Sequence, residues 1–92
     1  MKAPLDKNVL KVMTEILDER TRQIETKMGA NDDENTPAEW CSFIRGYTSW
    51  AWIQWGLGKQ DQYRKRLIQI AALAMAAVEA FDRNVAKARN KT

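Results

Sequence analysis

Glu15-x-x-Asp18 and Glu79-x-x-Asp82 each set two carboxylates within about one helical turn, an arrangement with which all-helical enzymes hold magnesium against a diphosphate. The plainer reading is that these acids are solvated ion-pair partners or helix-end charges. Glu15 points away from the apolar side of its segment, and Asp18 has Arg22 four residues on. Asp32-Asp33-Glu34 also offers carboxylate oxygens, but without the spacing or the glycine of an EF-hand, and reads as a solvated loop. The chain has no histidine, which removes the Ser-His-Asp triad, the Cys-His pair, the histidine zinc ligand and the histidine pH switch. Cys41 has no evident activating partner and reads as a packing residue.

Two further groups suit binding. Arg64, Lys65 and Arg66 gather where a phosphate or nucleic acid could be held, and Arg83, Lys87, Arg89 and Lys91 recur beyond the apolar centre of the same segment. Cations late in a helix also simply complement its dipole. A net charge of +3 permits contact with nucleic acid without requiring it. Of four tryptophans, Trp40, Trp50 and Trp55 share a helical stripe and read as core, whereas Trp52 falls off it. Trp52 is expected at an oligomer contact, or as a residue that meets a partner or stacks on a base.

Three helices have to position these residues, over about 6–28, 37–55 and 61–88, with a frayed tail at 89–92. The first is expected to start at Asp6 as N-cap and stop before Gly29. Its apolar stripe of Leu10, Met13, Leu17, Ile24 and Met28 should face a core. Thr36-Pro37-Ala38-Glu39 combines a capping-box pair with proline at the first helical position. On the second helix, Ser42, Gly46 and Ser49 form a row of small residues beside Trp52 and Ile53, open to the close approach of another helix.

The third helix has a main stripe of Tyr63, Leu67, Ile70, Ala71, Ala74, Val78, Phe81 and Val85. Ala72, Leu73, Ala76, Ala77 and Ala80 cover much of what remains. Such a helix should be buried on most of its circumference, which three helices in 92 residues cannot easily achieve. The fold expected is therefore all-α, a single domain over 1–92: a three-helix antiparallel hairpin or bundle completed by homo-oligomerisation. Trp52, Ile53, Gly46, Ala72 and Ala76 are the expected oligomer or partner contacts.

Hydrophobic residues at 45% and charged residues at 29% are a globular balance. A single cysteine and an N-terminus without a secretory leader lead us to expect the cytoplasm. Gln69 and Glu79 interrupt the longest apolar run below the ~20 residues that span a bilayer, so no membrane partner is expected.

Asp18-Glu-Arg-Thr-Arg-Gln23, Asp32-Asp-Glu-Asn-Thr-Pro-Ala-Glu-Trp40 and Tyr63-Arg-Lys-Arg through Val78-Glu-Ala-Phe-Asp-Arg83 together resemble small phage and prophage proteins of the MazG-like, nucleotide-pyrophosphohydrolase-like kind. The resemblance runs from about Val9 to Arg83. It implies an all-helical, usually oligomeric protein whose relatives hydrolyse nucleoside triphosphates with magnesium held by paired acids. Here the second helix reads Ser42-Phe-Ile-Arg-Gly-Tyr-Thr-Ser49 where the first acidic pair would stand, and Arg66 and Gln69 replace acids on the third. Only Glu79 and Asp82 keep the Glu-x-x-Asp form.

The expectation is thus a catalytically degenerate, phage- or prophage-derived protein that binds a nucleotide or a host factor, including a host defence component, with no cofactor. One alternative is a divergent magnesium-dependent pyrophosphohydrolase using Glu15, Glu19, Glu79 and Asp82 assembled across subunits. The other is a small nucleic-acid-binding protein using Arg64, Lys65 and Arg66.

Overall fold

The computed structural model describes residues 6–26 and 34–90, which form three helices: α1 (Lys7–Glu25), α2 (Pro37–Gly56) and α3 (Gln60–Asn90). The expected Met28 stripe position and Gly29 cap, Asp32 and Asp33 of the acidic loop, and the last two residues of the tail lie outside the described residues. Asp6 caps α1, its Oδ1 accepting from the Val9 amide at 2.8 Å. The helix ends at Glu25, with Thr26 as C-cap donating its amide to the Arg22 and Ile24 carbonyls. That is earlier than the sequence suggests.

The capping box of α2 is reciprocal: the Thr36 amide donates to Glu39 Oε1 at 2.8 Å, and the Glu39 amide donates to Thr36 Oγ1 at 3.2 Å. At its other end Gly58, with φ of 77°, supplies the left-handed residue of a Schellman cap. The Lys59 amide reaches the Gln54 carbonyl and the Gly58 amide reaches that of Trp55. One residue later α3 begins, so α2 and α3 form a tight antiparallel hairpin. α3 runs for 31 residues and continues to Asn90, two residues past its expected end.

Both α1 and α2 pack on α3 and not on each other, so the described residues form an all-α three-helix bundle with α3 as the shared support. The radius of gyration, 15.5 Å, exceeds the ~12 Å of a compact chain this long. The core lies between α2 and α3, where Trp40 packs on Leu73, Ala76 and Ala80, with Ile44, Tyr47 and Ala77 closing around them. Ala72 and Ala76, expected at an oligomer or partner contact, are instead inside the chain at 0% and 2% exposure. Alanine on this side lets the aromatic-rich α2 approach closely.

One expectation about apolar faces, that for α1, is corrected. Within one chain α3 is covered on part of its circumference only, as three helices in 92 residues lead one to expect. Its alanine side is covered, while Leu67, Val78 and Phe81 of the supposed main stripe face outward, the last two near 60% exposure. The stripe of α1 does not face the core either: Leu10, Met13, Leu17 and Ile24 are about half exposed, and the residues α1 buries are Arg20 and Gln23. No helix is long and apolar enough to cross a membrane among the described residues.

The alanine side of α3 should therefore tolerate bulk poorly. Ala76→Leu is expected to destabilise the fold by ~1–3 kcal/mol through overpacking against Trp40, read as a lower urea midpoint with an unchanged slope.

Candidate functional site

α1 meets α3 through polar side chains. Arg20 donates from Nε and Nη2 to the two carboxylate oxygens of Glu79, at 3.2 and 3.1 Å, a two-pronged pair in which the guanidinium is buried and the carboxylate half-exposed. Arg64 grips Glu15 in the same way, at 2.7 and 2.8 Å, nearer the start of α3. Gln23, almost fully buried, donates to Glu19 Oε2 at 3.2 Å and more weakly to the Gln69 backbone carbonyl at 3.5 Å. Their anchors on α3, residues 64 and 79, are about 22 Å apart along the helix, whereas residues 15 and 20 are only ~7.5 Å apart on α1. Long arginine side chains span the difference, so α1 is tied to α3 at two well-separated points.

Beside this contact is a cleft of about 520 Å³ whose lining comes from all three helices. Phe43, Tyr47 and Trp50 give one aromatic wall from α2, Arg20 and Gln23 come from α1, and Leu73 and Ala76 come from α3. Tyr47 and Trp50 stack with ring centroids 5.9 Å apart and planes 20° apart, and Trp40 meets Phe43 edge to face at 6.1 Å. Gly46 and Ser42 border the same cleft, and a methyl group placed on Gly46 would meet nothing within 4 Å. The row of small residues opens onto this space. The buried Trp40 Nε1 has no acceptor among the described residues, an unsatisfied donor beside the cleft. Flat walls, modest polarity and an open mouth suit a planar aromatic ligand.

The expected site residues do not converge. Glu15 is held by Arg64, Glu79 by Arg20 with Arg83 3.9 Å away, and Glu19 by Arg22 at 2.6 and 2.8 Å. Arg22 thus pairs with Glu19 rather than with Asp18. Asp82 is exposed on the far part of α3. Among the described residues no three acid or cysteine side chains are grouped so as to hold a metal ion. Glu15, Glu19 and Glu79 are thus engaged by arginines, and within one chain the four acids Glu15, Glu19, Glu79 and Asp82 are not gathered at one place.

Arg64, Lys65 and Arg66 are likewise divided: Arg64 pairs with Glu15, Lys65 is exposed, and Arg66 is buried beneath Trp50. Trp52 and Ile53 stand at 72% and 57% exposure, on the outside as their off-stripe position suggests. Trp50 and Trp55 are about half exposed rather than core, and Cys41 is exposed rather than packed.

Arg20, Gln23 and the aromatic wall were missed as a site, yet one signal was present. Arg20 occupies a stripe position, three residues after Leu17 and four before Ile24, where an apolar side chain belongs. No protein-family model, curated protein or solved structure matches this chain.

Hydrogen bonds from Arg64 hold the Glu15 carboxyl below its ordinary 4.5, and those from Arg22 do the same for Glu19. A lowered folded pKa means stability that is complete above the ordinary value and lost as pH falls through the folded one. Acid should thus loosen the seat of α1 on α3. Urea melts over falling pH are expected to show a drop in stability that is shallower in Glu15→Gln.

Proposed function

We propose that this chain is a MazG-like helical protein of phage or prophage origin that binds a nucleotide by its base and does not hydrolyse it. The observation that carries this reading is the pairing of an aromatic cleft with occupied acids. The space between α1 and α2 is walled by Phe43, Tyr47 and Trp50, while Glu15 and Glu79 are each held by an arginine. Stacking on aromatic side chains is worth ~1–3 kcal/mol per base and calls for no catalytic group.

Titration calorimetry with a panel of nucleoside mono- and triphosphates is expected to give saturable binding that falls about tenfold or more in Trp50→Leu, with no pyrophosphate released in the presence of magnesium. Pyrophosphate release that is lost in Glu79→Gln would establish instead a divergent magnesium-dependent pyrophosphohydrolase. Absence of nucleotide binding would end the nucleotide reading.

The same protein is proposed to work as a homo-oligomer, with a second copy covering the two outward stripes. Val9, Leu10, Met13, Leu17 and Ile24 on α1, with Leu67, Val78 and Phe81 on α3, leave exposed apolar area on the order of several hundred Å², comparable with the ~800 Å² each partner contributes to a standard interface. The stripes carry no charge at these positions, which suits self-association. This contact differs from the one expected from sequence, since Ala72 and Ala76 are already covered within the chain. Light scattering should give a mass above one chain at micromolar concentration, and Leu17→Arg with Phe81→Arg should return it to the monomer. A wild-type monomer would remove this part of the proposal.

A further inference from the structure

Arg66 is a buried cation whose partners are all neutral. At 7% exposure it sits between α2 and α3, where long charged side chains are seldom found without a carboxylate. Its Nε donates to Gln54 Oε1 at 3.2 Å, its Nη1 to Gln69 Oε1 at 2.6 Å, and its Nη2 to Gln62 Oε1 at 3.2 Å. Its guanidinium carbon lies 3.6 Å from the centroid of the Trp50 ring. None of these partners among the described residues is a carboxylate.

Three amide oxygens arranged around one planar fork fix both its position and its tilt. Gln62 and Gln69 hold it from its own helix, four residues before and three after, and Gln54 holds it from α2, one turn beyond Trp50. An amide accepts a hydrogen bond without neutralising the charge, as a carboxylate would. The ring of Trp50 is then the groove's response to an undiminished cation, and a desolvated cation over an indole face is the strongest form of that attraction. Trp50 is also the residue that carries this contact outward, because it lines the cleft and stacks beside Tyr47.

We infer that Arg66 is a positioning residue: its amide-held guanidinium clamps the Trp50 indole in the plane that makes it a wall of the cleft, and so selects flat aromatic ligands. The selection of ligand rests on the nucleotide-binding reading above; the clamping of the indole does not. Arg66, buried and taken up by three amides and the indole, acts through Trp50, unlike the exposed neighbours Arg64 and Lys65.

The test compares wild type with Arg66→Lys, Arg66→Met, Trp50→Leu and the double variant Arg66→Met with Trp50→Leu, using adenosine and cytidine triphosphates as probes. Near-UV circular dichroism, which senses the fixed asymmetry of an indole, is read first and without ligand. Arg66→Met should remove the same indole band that Trp50→Leu removes, and Arg66→Lys should recover it only in part, because an ammonium keeps the charge but not the fork. Nucleotide affinity should fall about tenfold in Arg66→Met, and by nothing further when Arg66→Met is added to Trp50→Leu.

An unchanged indole band in Arg66→Lys and Arg66→Met would overturn the inference, as would additive losses of affinity in the double variant. Should Arg66→Met not fold by far-UV circular dichroism, the band and affinity of Arg66→Lys decide alone. If wild type binds neither nucleotide, the nucleotide reading fails, and the indole band still decides whether Arg66 clamps Trp50.

Discussion

Trp40 packs against the alanine side of α3, and the arrangement of everything else follows from that choice of side. α3 carries two faces that could receive a neighbour, one of small residues and one of leucine, valine and phenylalanine. Close packing of an aromatic helix requires the small face, since bulk on both sides would hold the axes apart. Once α2 has taken it, the larger residues of α3 face outward. α1 then has a polar flank to meet, and it meets it with Arg20 and Gln23 while its own apolar stripe stays uncovered. The cleft is the space that remains between two helices that share a support but do not touch.

Polar groups do the structural work usually left to apolar ones. Arg20, Gln23, Gln54, Arg66 and Gln69 are all buried, and together they link the three helices at places where a larger protein would have leucine. Such contacts are directional, so they fix geometry more sharply than they add stability. That suits a chain with a small core and a cleft to shape. The arginines that hold α1 are the same groups that occupy the acids, so docking α1 and engaging Glu15 and Glu79 are one event.

Much of this was legible in the residues. The two N-caps, the capping box at Thr36 and Glu39, the extents of α2 and α3 to within two residues, and the outward position of Trp52 and Ile53 all follow from local rules. The cleft was not legible, because its lining comes from residues up to 56 positions apart in sequence, from Arg20 to Ala76, which only packing brings together. Nor could spacing say that Arg66 points inward while Arg64 reaches across to Glu15, because residues two apart on a helix diverge by about 200° and either could have faced the solvent.

The last helix shows where the boundary lies. Sequence by itself determined that about 61–88 is a long helix with apolar residues on nearly every side, since alanine, leucine and isoleucine favour helix and the glycine before it ends its predecessor. Tertiary structure decided which of those sides is inside. Composition registers how apolar a face is, whereas burial depends on the shape of what packs against it, and α2 matches the smaller face.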